Sequence, residues 1–360
     1  MTEAILLVGG QGTRLRPLTI NTPKPMLPVA GVPFTEHQIA RAREAGVTRI
    51  ILGTSYRAEV FREHFGDGAD LGVELVYAVE DQPMGTGGAI RHVTEHLRSG
   101  PDDPVLVFNG DVLTGVDLTH LLGVHAACGA AVTLYLTRVE DPRAFGLVPT
   151  DADGRVTAFL EKPTTPEEIV TDQINAGCYV FRRSVIDEIP AGRPVSVERE
   201  TFPALLQSGA RLQGVVDEGY WLDLGTPLAF VQGSCDLVTG LAPSPAVPGP
   251  TGPFLLLPGA RVAPGAILDG GTTLGARASV GPDACVSGSV LFDDAVVAAG
   301  EVVRDSVVGR GARVGAGVSL DGVVVGDGAT IEAGNELVHG ARVWPGVTLA
   351  ATSVRFSSDR

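Results

Sequence analysis

The chain has 360 residues, enough for two domains with full cores, and 42 acidic against 27 basic side chains leave a net charge of −15. That balance argues against nonspecific binding to nucleic acid or anionic membranes, and no apolar run approaches the roughly 18 residues that span a bilayer. The start, Met1-Thr2-Glu3-Ala4, lacks a signal-peptide pattern, and Cys128, Cys178, Cys235 and Cys285 form no CxxC pair, so a soluble protein of a reducing cytoplasm is expected.

The first apolar run, Ala4 to Val8, reads as a buried strand that feeds the glycine-rich segment Gly9-Gly10-Gln11-Gly12-Thr13-Arg14. A helical pattern follows over Thr35–Ala45, then a strand at Arg49–Leu52 and a helix at Ala58–Phe65. Val73–Ala78 reads as a strand, Thr86 as the cap of a helix running to about Leu97, and Val105–Phe108 as another strand. Such alternation predicts an α/β domain, a Rossmann-like mixed, mostly parallel sheet flanked by helices, over residues 1–240. Ligands of open α/β sheets sit at the carboxyl ends of strands, where the loop after Val8 and the turn Asn109-Gly110-Asp111 both fall. Residues 241–253 are rich in Pro and Gly and read as an extended linker.

From 254 to 360 the pattern changes to a repeat of six. Aliphatic residues recur at Val262, Leu268, Leu274, Val280 and Val286, at Leu291, Val297 and Val303, at Val308, Val314 and Leu320, and at Val325, Ile331, Leu337, Val343 and Leu349. Ala266, Thr272, Ala278, Ala284, Ala329 and Ala341 follow four places on from their aliphatics. A helix needs a period of about 3.6, so this is a parallel β-helix of roughly five coils with three sides each. Its unpaired end strands and flat faces predict a homo-oligomer.

Basic chemistry is concentrated at the N-terminus. Between Ala4 and Thr35 there is no acidic residue, while Arg14, Arg16 and Lys24 are present. Only Lys24 and Lys162 are lysines, each flanked by proline, and a compact ammonium in a rigid frame suits a single phosphate group. The glycine-rich segment lacks the Gly-Lys-[Ser/Thr] of a Walker loop, and Leu15 stands where a dinucleotide fingerprint needs its third glycine. Its backbone N–H groups and the Arg14 fork point to a polyphosphate.

Gly-Gly-x-Gly-Thr-Arg-Leu-Arg-Pro-Leu-Thr followed by Pro-Lys-Pro-Met-Leu-Pro resembles the sugar-1-phosphate nucleotidyltransferases. The likeness extends through Pro83–Gly87, Phe108–Asp111, Phe145-Gly146, Glu161-Lys162-Pro163, Asn175-Ala-Gly177 and Trp221–Gly225 into the hexapeptide tail. Leu7–Gly10 and Val197–Pro203 are most similar to mannose-1-phosphate guanylyltransferases, actinobacterial forms in particular. The resemblance implies a left-handed β-helix and the joining of GTP to mannose 1-phosphate, with Mg²⁺ held by Asp111 and Asp223. It implies that Gly9, Gly10, Gly12, Thr13, Arg14, Lys24, Asn109 and Asp111 bind nucleotide, Arg14 gripping the β- and γ-phosphates. Gly146, Glu161, Lys162, Asn175 and Gly177 would hold the sugar phosphate, and Arg14, Lys24 and Lys162 would be the catalytic cations.

The base pocket is assigned from chemistry: Gly85 and Thr86 bring backbone to the base edge, and Glu80, with Asp81 or the backbone as alternatives, accepts from guanine N1–H and its amine. Alternatives are synthesis of UDP-, dTDP- or ADP-glucose, or a noncatalytic regulatory homologue. The latter is disfavoured because Arg14, Lys24, Asp111, Lys162 and Asp223 are all present. An acyltransferase, another use of hexapeptide helices, would have only His339 to work with in the tail.

Overall fold

A computed structural model describes residues 2–54, 57–247 and 252–355. The chain divides into two compact units, one of residues 1–10 and 38–221, the other of residues 11–37 and 222–360.

In the first unit the strand Glu3–Leu7 is central, parallel to Arg49–Thr54 on one side and Pro104–Asn109 on the other. Glu74–Val79 extends the parallel part beside Arg49–Thr54. On the other side the sheet turns antiparallel: Gln173–Arg182 pairs with Pro104–Asn109, and Val132–Arg138 pairs with Gln173–Arg182. Leu212–Val216 then runs parallel to Val132–Arg138. Ala4, Ile5 and Leu6 are wholly buried, as expected for a strand covered on both faces, where inward and outward positions are equally apolar. Ile5, Val107, Tyr179, Phe181 and Phe202 belong to one continuous core.

Register puts Leu7 opposite both Gly53 and Asn109, so the parallel strands end level and their carboxyl-end loops share one edge. Gly110 is fixed there by close approach. Its N–H donates to Leu7 O at 3.0 Å, and an added Cβ would lie 2.4 Å from that oxygen. The expected helices at 35–45 and 58–65 lie at Phe34–Glu44 and Ala58–Phe65. Thr86 is not the expected cap, because the helix Gly85–His92 begins one residue earlier with Met84 as N-cap. Its hydroxyl has other partners, described below.

The second unit holds the β-helix, three parallel ladders of short strands. Leu274, Leu291, Val308, Val325 and Val343 stack along one wall, and with the other repeat positions from Leu268 to Val343 they fill the interior. The ends differ from the repeat: Val262 is exposed and Leu349 only partly covered, because the terminal coils lack a neighbour on one side. Successive strand residues face opposite ways, so Thr273, Val290, Val307 and Val324 point outward on that wall, yet all four are buried. The helix Pro227–Thr239, capped by Thr226, packs against this wall at the strands Phe254–Leu256 and Thr272–Leu274. Phe230 meets Phe292 edge-on with ring centres 6.3 Å apart. In the final coil the outward place passes to Arg342, which is exposed.

Within the proline-rich stretch, residues 241–247 turn and pack rather than extend: Val247 N–H donates to Ser244 O, and Ser244 Oγ lies 2.6 Å from His37 Nδ1. Residues 248–251 of the expected linker lie outside the described residues. Leu291→Ala removes a fully buried side chain from the stack, and its unfolding free energy should fall by about 2–5 kcal/mol, read as a lower urea midpoint for the β-helix transition.

Candidate active site

In the second unit the segment 11–37 carries two cations on two single turns. Gly12, at φ +58°, opens the 3-10 turn Thr13–Leu15, and Lys24 begins the turn Lys24–Met26 between prolines that fix its backbone. Thr19 Oγ1 donates to Gly12 O at 2.8 Å, and Thr35 Oγ1 donates to Pro25 O at 2.9 Å, tying each turn to its surroundings. A Cβ on Gly12 would stand 2.7 Å from Lys24 Cβ, so the glycine is required both by backbone handedness and by the lysine packed against it.

Both cations face one carboxylate. Arg14 Nη2 lies 3.9 Å from Asp223 Oδ2, and Lys24 Nζ lies 3.9 Å from Asp223 Oδ1. The Lys24 side chain is 10% exposed and that of Arg14 is 64% exposed, so one charge is embedded while the other reaches into solvent. At these separations the carboxylate neutralises both without the short contact of a charge-assisted hydrogen bond, typically about 2.7–2.9 Å. Gly225 makes the arrangement fit, since a Cβ there would be 2.3 Å from Arg14 Nη2.

The first unit holds the remaining positions at the carboxyl edge of its sheet. Gly10 differs from Gly12: an added Cβ would meet nothing within 4 Å, so space beside this stretch of backbone is clear. Asn109 O accepts from Gln38 Nε2 at 2.8 Å, and Asp111 follows at the turn. Opposite Val132–Arg138 the pairing slips between Asn175 and Tyr179, a bulge that re-aims the intervening residues. Asn175 Nδ2 donates to Tyr179 Oη at 2.7 Å, and its Oδ1 accepts from Gly177 N. Gly177, at φ +75°, leaves room for Asn109, whose Nδ2 would be 3.1 Å from an added Cβ.

Glu161 sits opposite Gly146 in a two-residue strand pair, and its Oε2 occupies the place of a Gly146 side chain, 2.8 Å from the Cβ position. Burial pushes the Glu161 carboxyl up, the neighbouring Glu198 charge adds to this, and Lys162 opposes it. Lys162, at φ +51°, is exposed, with Nζ 3.7 Å from Glu161 Oε1. Phe145 meets Trp221 edge-on, and Trp221 Nε1 donates to Ala176 O at 3.0 Å, packing the 145, 176 and 221 positions together.

Glu80 follows the strand Glu74–Val79 and is buried, with its N–H donating to Thr54 O. Burial raises its carboxyl, while the Met84 N–H and His92 pull the other way, and Oε1 has no hydrogen-bond partner among the described residues. Gly85, at φ +70°, lies against Val195, whose carbonyl accepts from Gly87 N and Gly88 N. Much of this glycine run is therefore taken up by backbone packing.

Thr86 Oγ1 donates to Glu198 Oε2 at 2.8 Å and accepts from Val197 N, and Ser196 Oγ also donates to Glu198 Oε2. Glu198, on the π-helical turn Val197–Thr201, thus joins the first turn of the helix Gly85–His92 to the surroundings of Glu161. Sequence reading gave Glu198 no role, because no local pattern marks a contact made across 112 residues.

Of the expected site residues, Gly12, Thr13, Arg14, Lys24 and Asp223 fall in the second unit. Gly9, Gly10, Glu80, Gly85, Thr86, Asn109, Asp111, Gly146, Glu161, Lys162, Asn175 and Gly177 fall in the first. Among the described residues, no group of three or more His, Cys, Asp or Glu is arranged to hold a metal ion by itself.

The family described as Nucleotidyl transferase matches residues 3–240, and the GMPPB C-terminal domain matches residues 250–355. The chain is 57% identical over 358 residues to a mannose-1-phosphate guanylyltransferase of Mycobacterium tuberculosis, covering 99% of this chain and 98% of that one. It is 38% identical over 270 residues to a mannose-1-phosphate guanylyltransferase catalytic subunit beta of Drosophila pseudoobscura pseudoobscura, covering 73% and 71% of the two chains. Among solved structures, HddC from Yersinia pseudotuberculosis, also determined in complex with GMP-PN, matches with a TM-score of 0.56 at 25% identity over 66% of this chain and all of that one.

Gly12→Ala tests the cation cluster without changing a charge. A left-handed alanine costs about 1–2 kcal/mol, and the contact with Lys24 adds to it, so both the thermal midpoint and nucleoside triphosphate affinity by calorimetry should fall.

Proposed function

The chain belongs to the nucleotidyl transferase family, and within it we propose a guanylyltransferase that joins GTP to α-D-mannose 1-phosphate, yielding GDP-mannose and diphosphate. The observation that supports this reading most is the pair of cations, Arg14 at the end of the glycine-rich loop and Lys24 beyond it, that share Asp223, an arrangement suited to a polyphosphate. The relatives named mannose-1-phosphate guanylyltransferase support the choice of base and sugar.

A phosphate oxygen of the sugar attacks the α-phosphorus of GTP in line. The new P–O bond forms as the bond to the bridging oxygen breaks, and the electron pair leaves with diphosphate. The nucleophile is already anionic, so no general base is needed, and the protein's work is positioning and charge neutralisation. Arg14 grips the β- and γ-phosphates, Lys24 neutralises charge at the reacting centre, and Lys162 holds the sugar phosphate. The backbone of Gly9, Gly10, Gly12 and Thr13 approaches the phosphates, with Asn109 beside them.

Asp111 and Asp223 offer hard oxygen donors suited to Mg²⁺, which supplies further neutralisation when bound with substrate oxygens. Glu161, Asn175 and the backbone of Gly146 and Gly177 pair with sugar hydroxyls. Guanine N1–H and its amine would meet the buried Glu80 oxygen, beside the backbone of Gly85 and Thr86. Residues 1–240 carry the chemistry, 241–253 link, and the β-helix of 254–360 contributes contacts between copies in a homo-oligomer. The four cysteines are free thiols, which suits the cytoplasm, where GTP is available.

Diphosphate release over a grid of nucleoside triphosphates and hexose 1-phosphates tests the whole reading. GTP with mannose 1-phosphate should be the best pair, and EDTA should stop the reaction until Mg²⁺ is restored. Release from no pair would end the proposal, and a better pair would reassign base or sugar. On the same grid, Glu80→Gln should reduce the preference for GTP over ATP about 10–100-fold, since its amide presents a donor to guanine's donors. Light scattering at micromolar concentration should return a mass above that of one chain; a monomer would remove the assembly role of the β-helix.

A further inference from the structure

The exposed Arg342 of the last β-helix coil has a specific destination within its own unit. One guanidinium nitrogen, Nη1, donates to Arg14 O at 2.9 Å and to Arg16 O at 2.7 Å, across 328 and 326 residues. The turn that Arg14 occupies leaves its carbonyl in need of such a donor. In the 3-10 pattern, Leu15 N bonds Gly12 O and Arg16 N bonds Thr13 O, so the next donor, for Arg14 O, would be residue 17. Residue 17 is proline and has no N–H, and Leu18 N is already given to Leu15 O.

The β-helix supplies the missing hydrogen at the one coil where its outward column changes character. Thr273, Val290, Val307 and Val324 are small or β-branched and buried, and Arg342 follows them in register. An apolar side chain there would continue the pattern and leave Arg14 O without this donor.

We propose that Arg342 is a positioning residue for the nucleotide: it fixes the backbone from which Arg14 projects, and so couples the hexapeptide domain to triphosphate binding. The inference rests on the reading that Arg14 grips the β- and γ-phosphates. Arg14's own side chain is mostly exposed and reaches Asp223 only at 3.9 Å, so the aim of its guanidinium depends largely on how firmly its backbone is held. One guanidinium nitrogen directing its two hydrogens to two carbonyls restrains the turn at its middle residue and just past its end.

The test uses the full chain and initial rates of diphosphate release, varying GTP and mannose 1-phosphate in turn, for wild type, R342A, R342K, R14A and the R14A/R342A double variant. R342A should raise KM for GTP about tenfold and leave KM for mannose 1-phosphate within about twofold, with R342K between it and wild type. Because both changes act through one side chain, R342A should add nothing in the R14A background. An unchanged KM for GTP in R342A overturns the proposal, as does multiplication of the two effects. So does a fall in kcat alone with both KM values intact, the mark of a smaller folded fraction. If R14A keeps the wild-type KM for GTP, the role given to Arg14 fails and the inference fails with it. If R14A is impaired while R342A is not, only the coupling falls.

Discussion

One carboxylate between two cations is the constraint around which the N-terminal loop is arranged. Lys24 is almost buried, and a buried ammonium needs a compensating charge, which Asp223 provides while also facing Arg14. Arg14 and Lys24 repel one another, so their approach to a common point persists only with an anion there. Three structural features follow from that requirement. Gly12 has no side chain because Lys24 Cβ occupies the space, Gly225 has none because Arg14 Nη2 does, and prolines on both sides of Lys24 keep its turn from relaxing.

The first unit is shaped by backbone irregularity of its own. Tight register among the parallel strands brings their loop ends level, while the bulge between Asn175 and Tyr179 interrupts the pairing with Val132–Arg138 and re-aims the backbone around Gly177. Glu161 and Glu198 then place two carboxylates near each other, and burial with mutual repulsion raises the Glu161 carboxyl. Such an arrangement costs stability, and the hydroxyls of Thr86 and Ser196 offset part of the cost by donating to Glu198.

Much of this was legible in the sequence, and unevenly so. The β-helix interior was readable almost residue by residue, because a period of six with aliphatic residues has few other solutions; only Val262 and Leu349, at the open ends, depart from it. The parallel part of the sheet and the place of the Gly9–Arg14 loop were readable from alternation and strand length. Thr86 as a cap was not, because hydroxyls of identical local pattern choose between their own helix and a distant carboxylate by tertiary context. The contacts of Glu198 and Arg342 were invisible for a related reason: the stretch Val197–Pro203 and the repeat position Val343 mark their surroundings, but each side chain acts on residues far away in the chain. The grouping of 11–37 with 222–360 was equally hidden, since sequence order gives no sign that a segment ten residues into the chain packs with the C-terminal half.

Charge counting sets what the protein must still borrow. A phosphate monoester carries about −1.5 to −2 near neutral pH, and a triphosphate carries more, so the reacting pair brings several negative charges together. On the proposed reading Arg14, Lys24 and Lys162 would stand against these, and Lys24 and Arg14 already share Asp223. Asp111, by adding a further negative charge at the carboxyl edge of the sheet, makes the deficit worse if it acts alone. On the proposed reading Asp111 would help to hold a divalent cation, and that ion would supply neutralising charge. On that proposal the cations carried by the chain would orient the substrates, and a divalent ion would supply the remaining positive charge.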